Sequence, residues 1–313
     1  MSSLARLPAL DAPPVPRWAG AEVQIGDHRL FVRRAGTPGT PPVVFVHGLG
    51  GSATNWTDLM HCLAPSVDAH AIDLPGFGFS GPSPSGTYMP RDHVRAVIAY
   101  LDQTFPGQKV HVVGNSMGGL VSTLLAAKFP DRIASLTLVS PALPDLRPVV
   151  MAARAPLIGA TFFGPILLKP LQRGTAEERA TRLIGLCYAD PSRIRPERIR
   201  EAIEDFQARI DHTWAQDAFM GSLRGIVTAT LGRGDQSVWR RAKNINAPVL
   251  WIHGKADRLV HWGLMRRGAR TFRHCSTLLV EDSGHVTQME HPELTARAVL
   301  AHITGHFTAA GPS

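Results

Sequence analysis

Short unbroken apolar runs alternate along the chain with stretches whose apolar residues recur at helical spacing. The runs are Val43–Val46, Val67–Ile72, Val110–Val113, Ile133–Val139, Pro248–Ile252 and Ser276–Val280. Runs of this length and kind belong to strands buried on both faces. Between them, helical spacing extends over Thr54–Ala64, Arg91–Phe105, Leu120–Phe129, Trp262–Phe272 and Pro292–His302. Strand and helix in alternation specify a mostly parallel, doubly wound α/β sheet with helices on both faces. Ahead of the first buried run, Glu22–Ile25 and Arg29–Val32 alternate in polarity and flank Gly26-Asp27, the pattern of an antiparallel hairpin at one margin of the sheet.

The alternation breaks once. From Leu143 to Ile245 the text is helical and arginine-rich, with proline and glycine stops and no buried strand. It reads as a helical cap inserted after the sixth strand, over the sheet edge where ligands bind in such folds. The expected organisation is a loose, proline-punctuated arm over 1–20, a core over 21–142 and 246–306, a cap over 143–245 and a tail over 307–313.

The candidate chemistry gathers where strands end. Val110–Val113 feeds Gly114-Asn115-Ser116-Met117-Gly118, with a helical pattern directly behind it. A serine on so sharp a strand-to-helix turn sits in strained backbone and lies beside the unpaired N–H groups of a helix start, which suits a developing oxyanion. The plain alternative is a glycine-rich turn with an incidental serine. Val43–Val46 ends in His47-Gly48-Leu49-Gly50-Gly51, where the backbone must turn tightly or approach something closely. In the functional reading the Leu49 N–H joins that of Met117 as a two-donor oxyanion hole; in the plain one this is an ordinary loop. His47 is assigned a bracing role. Gly76-Phe77-Gly78-Phe79-Ser80-Gly81 spells a dinucleotide fingerprint, but Pro82, Pro84 and Gly86 follow where a helix should open, so nucleotide binding is rejected. The last two buried runs end in Asp257 and His285. A serine nucleophile needs a base that works near neutral pH, and the base needs a carboxylate to fix its tautomer.

With these landmarks in order, the chain resembles the α/β-hydrolase fold family, whose triad runs Ser, Asp, His. Ser116 matches the nucleophile elbow, His47-Gly48-Leu49-Gly50 the oxyanion loop, and Asp73-Leu74-Pro75-Gly76-Phe77-Gly78-Phe79-Ser80 the turn after the fourth strand. His253-Gly254-Lys255-Ala256-Asp257 carries the acid and Ser283-Gly284-His285 the base. Asp282 and Asp235 compete for the acid's role, and His291 and His253 for the base's; position at strand ends favours Asp257 and His285. The resemblance implies a serine hydrolase acting through an acyl-enzyme, near carboxylesterases and monoacylglycerol lipases. Some likeness extends to hydrolases that split carbon–carbon bonds of ring-cleavage products. That branch carries a tryptophan after the base, where this chain has Val286. Some proteins of the fold only bind ligands, which is a third reading.

Composition narrows the picture further. At 313 residues, 44% hydrophobic and 19% charged, the chain has a substantial core. Its formal charge is +8, and the cap holds 16 basic against 11 acidic residues. No basic run is interleaved with aromatics, so solvated arginines are expected and no nucleic-acid partner. Cys62, Cys187 and Cys275 are in no metal-ligand spacing, and His302 and His306 lack the intervening glutamate of a zinc helix. Neither metal nor cofactor is implied, and both helical histidines are expected to be solvated. Met1–Arg17 lacks a signal-peptide core, so the expected location is cytoplasmic. The uncharged stretch Ala155–Leu168 is too short to span a bilayer. It is expected to line the pocket; the sharper alternative has it touch a lipid surface transiently, aided by Arg147, Arg154 and Lys169.

Overall fold

The apolar runs form strands of one eight-stranded sheet. The computed structural model describes residues 15–145, 174–210 and 212–307. Its strands are β1 (Gly20–Ile25), β2 (His28–Gly36), β3 (Pro42–Val46), β4 (Asp68–Ile72), β5 (Val110–Asn115), β6 (Ile133–Val139), β7 (Val249–Gly254) and β8 (Cys275–Val280), in the order β1-β2-β4-β3-β5-β6-β7-β8. The β1–β2 hairpin and the β2–β4 pair are antiparallel, and every other pair is parallel. The helices described are α1 (Thr57–Leu63), α2 (Pro90–Thr104), α3 (Met117–Lys128), α4 (Ala176–Cys187), α5 (Pro196–Ile210), α6 (Ala215–Leu231), α7 (Val238–Ala242), α8 (Met265–Thr271), α9 (Thr287–Glu290) and α10 (Pro292–Ile303).

Because successive strand residues face opposite ways, an unbroken apolar run feeds two cores. Val44 and Val46 of β3, with Val249 and Trp251 of β7, pack with residues of α2, α3 and α8 on one face. Val43 and Phe45, with Leu250 and Ile252, pack with α1 and α10 on the other. The apolar run of β7 stops at Ile252, yet the ladder continues, pairing His253 with Leu279 and Gly254 with Val280. His253 is therefore a fully buried strand residue. Two other boundaries differ from the periodic reading. The segment before α1 begins as a tight 3-10 turn over Ala53–Trp56, and α9 is too short for periodicity to reveal.

After β6 the described residues are helical until β7, with α4 and α5 packed together. Polar contacts seat α5 and α6 on the core. Asp205 of α5 accepts hydrogen bonds from the Ser52 and Thr54 hydroxyls, both at 2.6 Å, and Arg198 pairs with Asp58 at 2.8 Å. On α6, the Ser222 hydroxyl donates to the Tyr88 carbonyl and accepts from His93 Nε2 at 2.9 Å. Burial pushes His93 down to about 4, so its ring stays neutral in this seat. Residues 15–19, read from sequence as part of a loose arm, are strapped across these elements. The Trp18 indole donates to the Thr57 carbonyl, Arg17 meets Glu204 and Asp205, and the Val15 carbonyl accepts from Arg198. The stretch Ala155–Leu168, with Arg147, Arg154 and Lys169, lies outside the described residues, as do the first fourteen residues and the tail from 308. No helix of the described residues is long and apolar enough to cross a membrane.

Candidate active site

Ser116 joins β5 to α3 with φ 54° and ψ −118°, a conformation costly for a residue with a Cβ. Its neighbours hold it there. The Ser116 N–H donates to the Val139 carbonyl at 3.0 Å, and the Ser116 carbonyl accepts from Ala142 at 2.9 Å and Leu120 at 3.2 Å. Met117 opens α3, so its N–H has no acceptor within the helix and lies at the positive end of the helix dipole.

The elbow is possible only because Gly118 lacks a side chain. A Cβ there would stand 2.0 Å from the Val46 carbonyl oxygen, at the end of the neighbouring strand. Gly118→Ala is accordingly expected to lower unfolding stability by about 3 kcal/mol or to prevent folding, because rigid backbone must move. Urea denaturation of the variant beside wild type measures this; a loss below about 0.5 kcal/mol would contradict the close packing of elbow on β3.

The glycine loop after β3 runs alongside the serine. The Cβ direction of Gly48 points at Ser116 Cβ, 3.1 Å away, so Leu49 follows directly beside the elbow. His47 braces this loop. The Leu74 N–H donates to its Nε2 at 2.9 Å and its Nδ1 lies 2.8 Å from the Gly48 carbonyl, which fixes the Nδ1–H tautomer. Asp73 shapes the adjoining turn, accepting from the Ala53 N–H at 2.6 Å and the Phe79 N–H at 2.9 Å. Burial pushes its carboxyl up to about 6.

Parallel neighbours β7 and β8 end at the same sheet edge, and their following loops bring Asp257 and His285 together. His285 Nδ1 lies 2.9 Å from Asp257 Oδ2, while Asp257 Oδ1 accepts from the Leu259 and Val260 N–H groups at 2.8 and 2.9 Å. Burial alone would raise the Asp257 carboxyl, but the two histidines facing it, His285 and His253, hold it well below the usual carboxylate range. Of the competing residues, His253 alone stands beside Asp257, at 3.2 Å, and the other three lie elsewhere. Asp282 pairs with Arg193 and His291, and Asp235 with Arg240 at an exposed site. His302, expected to be solvated, is buried on the core side of α10, and desolvation lowers its pKa. Among the described residues no cluster of three His, Cys, Asp or Glu is placed to hold a metal.

Four residues given no role in the sequence reading hold these parts. Asn115, inside the elbow motif, donates through Nδ2 to the His285 carbonyl at 3.1 Å, tying the β8 loop to the elbow. The His285 N–H donates to the Cys187 carbonyl at the end of α4 at 2.7 Å. Glu290 of α9 accepts from the Gly284 N–H at 2.6 Å and the Ala189 N–H at 2.9 Å, so the His285 loop and the cap share one buried carboxylate. Its spacing from His285 in the linear text points to no chemistry. The fourth, His253, stands four residues before Asp257, a proximity the sequence displays without showing which way the ring faces. Above the glycine loop, Phe219 lies 3.6 Å from the Cβ position of Gly50, and Met220 and Leu223 pack against Leu49.

This chain belongs to the alpha/beta hydrolase fold family, whose model matches residues 41–292. It is similar to a Mycobacterium tuberculosis esterase, Rv0045c, at 28% identity over 85% of this chain and 82% of that protein. It is also similar to a Xenopus laevis monoacylglycerol lipase, abhd6-B, at 26% identity over 87% and 78%. It matches the dihydrolipoyllysine-residue acetyltransferase component of the acetoin cleaving system of Cupriavidus necator at 27% identity over 88% of the chain, spanning only 66% of that protein's length. Among solved structures, it superposes on the 2-hydroxy-6-oxo-6-phenylhexa-2,4-dienoate hydrolase of Rhodococcus sp. strain RHA1 with a TM-score of 0.72, at 23% identity over 91% of this chain and 98% of that one.

Proposed function

We propose that this protein is a serine hydrolase that cleaves carboxylic esters of medium or long acyl chain, as carboxylesterases and monoacylglycerol lipases do, through an acyl-enzyme on Ser116. The observation that carries the reading is the buried Asp257–His285 hydrogen bond on the same sheet edge as the strained Ser116, with the His285 segment tied to the elbow by Asn115. His285, held by Asp257, takes the Ser116 proton through Nε2 as Oγ attacks the ester carbonyl. The Leu49 and Met117 N–H groups donate to the oxyanion. His285 then protonates the departing alcohol, and water repeats the cycle on the acyl-enzyme.

The preference for an acyl tail rests on the apolar wall of Leu49, Phe219, Met220 and Leu223 beside the proposed oxyanion loop. Such a wall favours a hydrocarbon by about 0.8 kcal/mol per buried methylene. Steady-state hydrolysis of p-nitrophenyl esters from acetate to palmitate, with a monoacylglycerol alongside, is expected to give kcat/KM rising by up to about 15-fold per two carbons to a maximum at medium or long chains. A flat profile, or one highest at acetate, would remove the acyl-tail preference. Failure on every ester while a phosphonate still labels Ser116 would move carbon–carbon bond hydrolysis to first place. Labelling without sustained turnover on either class would favour a binding protein.

A further inference from the structure

His253 occupies an unusual seat for a histidine that is not the base. It lies in β7, shut off from solvent, with a hydrogen-bonding neighbour at each ring nitrogen. The Trp251 indole N–H points at its Nδ1 at 3.1 Å. An indole nitrogen can only donate, so Nδ1 must be the bare, accepting nitrogen. On the other side, Nε2 lies 3.0 Å from the Val260 carbonyl, which can only accept, and 3.2 Å from Asp257 Oδ2. Nε2 therefore carries the hydrogen. Both neighbours demand the same tautomer, and a second proton on Nδ1 would collide with the indole N–H.

We propose that His253 is a positioning residue for the Asp257 carboxylate: locked by Trp251 as the neutral Nε2–H tautomer, it shares that one N–H between the Val260 carbonyl and Oδ2 and so steadies the oxygen that His285 uses. The inference rests on the triad reading above. Oδ2 then faces two imidazole N–H groups, that of His285 directly and that of His253 shared with the Val260 carbonyl, while Oδ1 takes the two backbone N–H groups of Leu259 and Val260. With donors facing both oxygens, the carboxylate cannot rotate away from His285 without abandoning one of them in a dry site, where an unmet polar group is costly. A shared Oδ2 also keeps less negative charge for the His285 imidazolium than an unshared one would. Among the described residues, Cys187 at the end of α4 lies in the field of Asp257 and of Glu290 of α9. Burial first, and then the Asp257 and Glu290 charges, push the Cys187 thiol up to about 12, so it stays neutral. Glu290 is engaged with the Gly284 and Ala189 N–H groups.

The test compares His253→Leu, which removes both ring nitrogens, with His253→Gln, which retains an N–H donor near the Nε2 position. Ester hydrolysis is followed across pH, beside long-range 15N–1H spectra of wild type. For wild type, His253 is expected to show a bare Nδ1 and a hydrogen on Nε2. This readout is independent of catalysis. For His253→Leu, kcat is expected to fall on the order of 10- to 100-fold with KM nearly unchanged, as small misplacements of a triad do. The acid limb of its kcat/KM profile should move to higher pH, because Asp257 keeps more charge for His285. His253→Gln should recover most of the rate and return the limb. A folded His253→Leu with wild-type kcat and an unmoved limb overturns the proposal, as does equal loss in the Leu and Gln variants without a shift, which would mean packing alone. If His253→Leu does not fold, the wild-type spectrum and the Gln variant decide, and a protonated Nδ1 overturns the tautomer lock. Wild type that neither hydrolyses esters nor takes phosphonate on Ser116 would instead remove the triad reading, and the spectrum would still report the tautomer.

Discussion

Ser116→Ala is expected to lower kcat for the best p-nitrophenyl ester by about 10⁴- to 10⁶-fold, leaving the residual rate that oxyanion donors and binding supply without a nucleophile. The fold should survive. Alanine bears the same Cβ at the same φ of 54°, and the three backbone hydrogen bonds that hold the elbow do not involve the hydroxyl. A companion variant isolates the strain: Ser116→Gly should be equally inactive yet more stable by about 1 kcal/mol, since glycine tolerates this backbone without penalty. Steady-state rates and urea denaturation on the same preparations read both effects. Activity within tenfold of wild type in Ser116→Ala would remove the acyl-enzyme mechanism, and an unstabilised glycine variant would mean that the turn is not strained.

Asp257→Asn is expected to cost about 10⁴-fold in kcat, with little change in KM. The reason lies in how the carboxylate is surrounded. Oδ1 accepts two backbone N–H groups, from Leu259 and Val260, which pin an amide's oxygen at that position. The new NH2 group must then take the place of Oδ2 and face His285 Nδ1 at 2.9 Å and His253 Nε2 at 3.2 Å. Donor meets donor at both contacts. His285 relieves this by moving its hydrogen to Nε2, which leaves no lone pair to accept the Ser116 proton. The tautomer change is visible in the 15N spectrum of the variant, so the rate loss has an independent signature. A fall of less than tenfold, or an unchanged His285 tautomer, would show that Asp257 does not serve as the acid partner.

The strand and helix rhythm was legible because burial on both faces of a parallel sheet leaves a mark in each strand separately. Val43–Val46 and Leu250–Ile252 could be read one segment at a time. The elbow was legible for a similar reason: Gly114-Asn115-Ser116-Met117-Gly118 states a local demand, a sharp strand-to-helix turn in which Ser116 holds a φ of 54°. Asp257 and His285 were legible as residues following the last two strands, since parallel neighbours end at one edge.

Contacts made between distant parts of the chain left no such mark. Asp205 meets Ser52 across 153 positions, and Asn115 meets His285 across 170. A polar residue can find many donors, and its type does not say which one the chain returns to it. His302 was expected to be solvated and His253 was weighed only as a rival base, for the same reason: their neighbours come from register and helix rotation in the folded molecule. Period and backbone restriction are local properties written directly in the order of residues. The partner of a hydrogen bond, the tautomer it imposes and the charge it steadies are set only when separate strands and cap helices close around it.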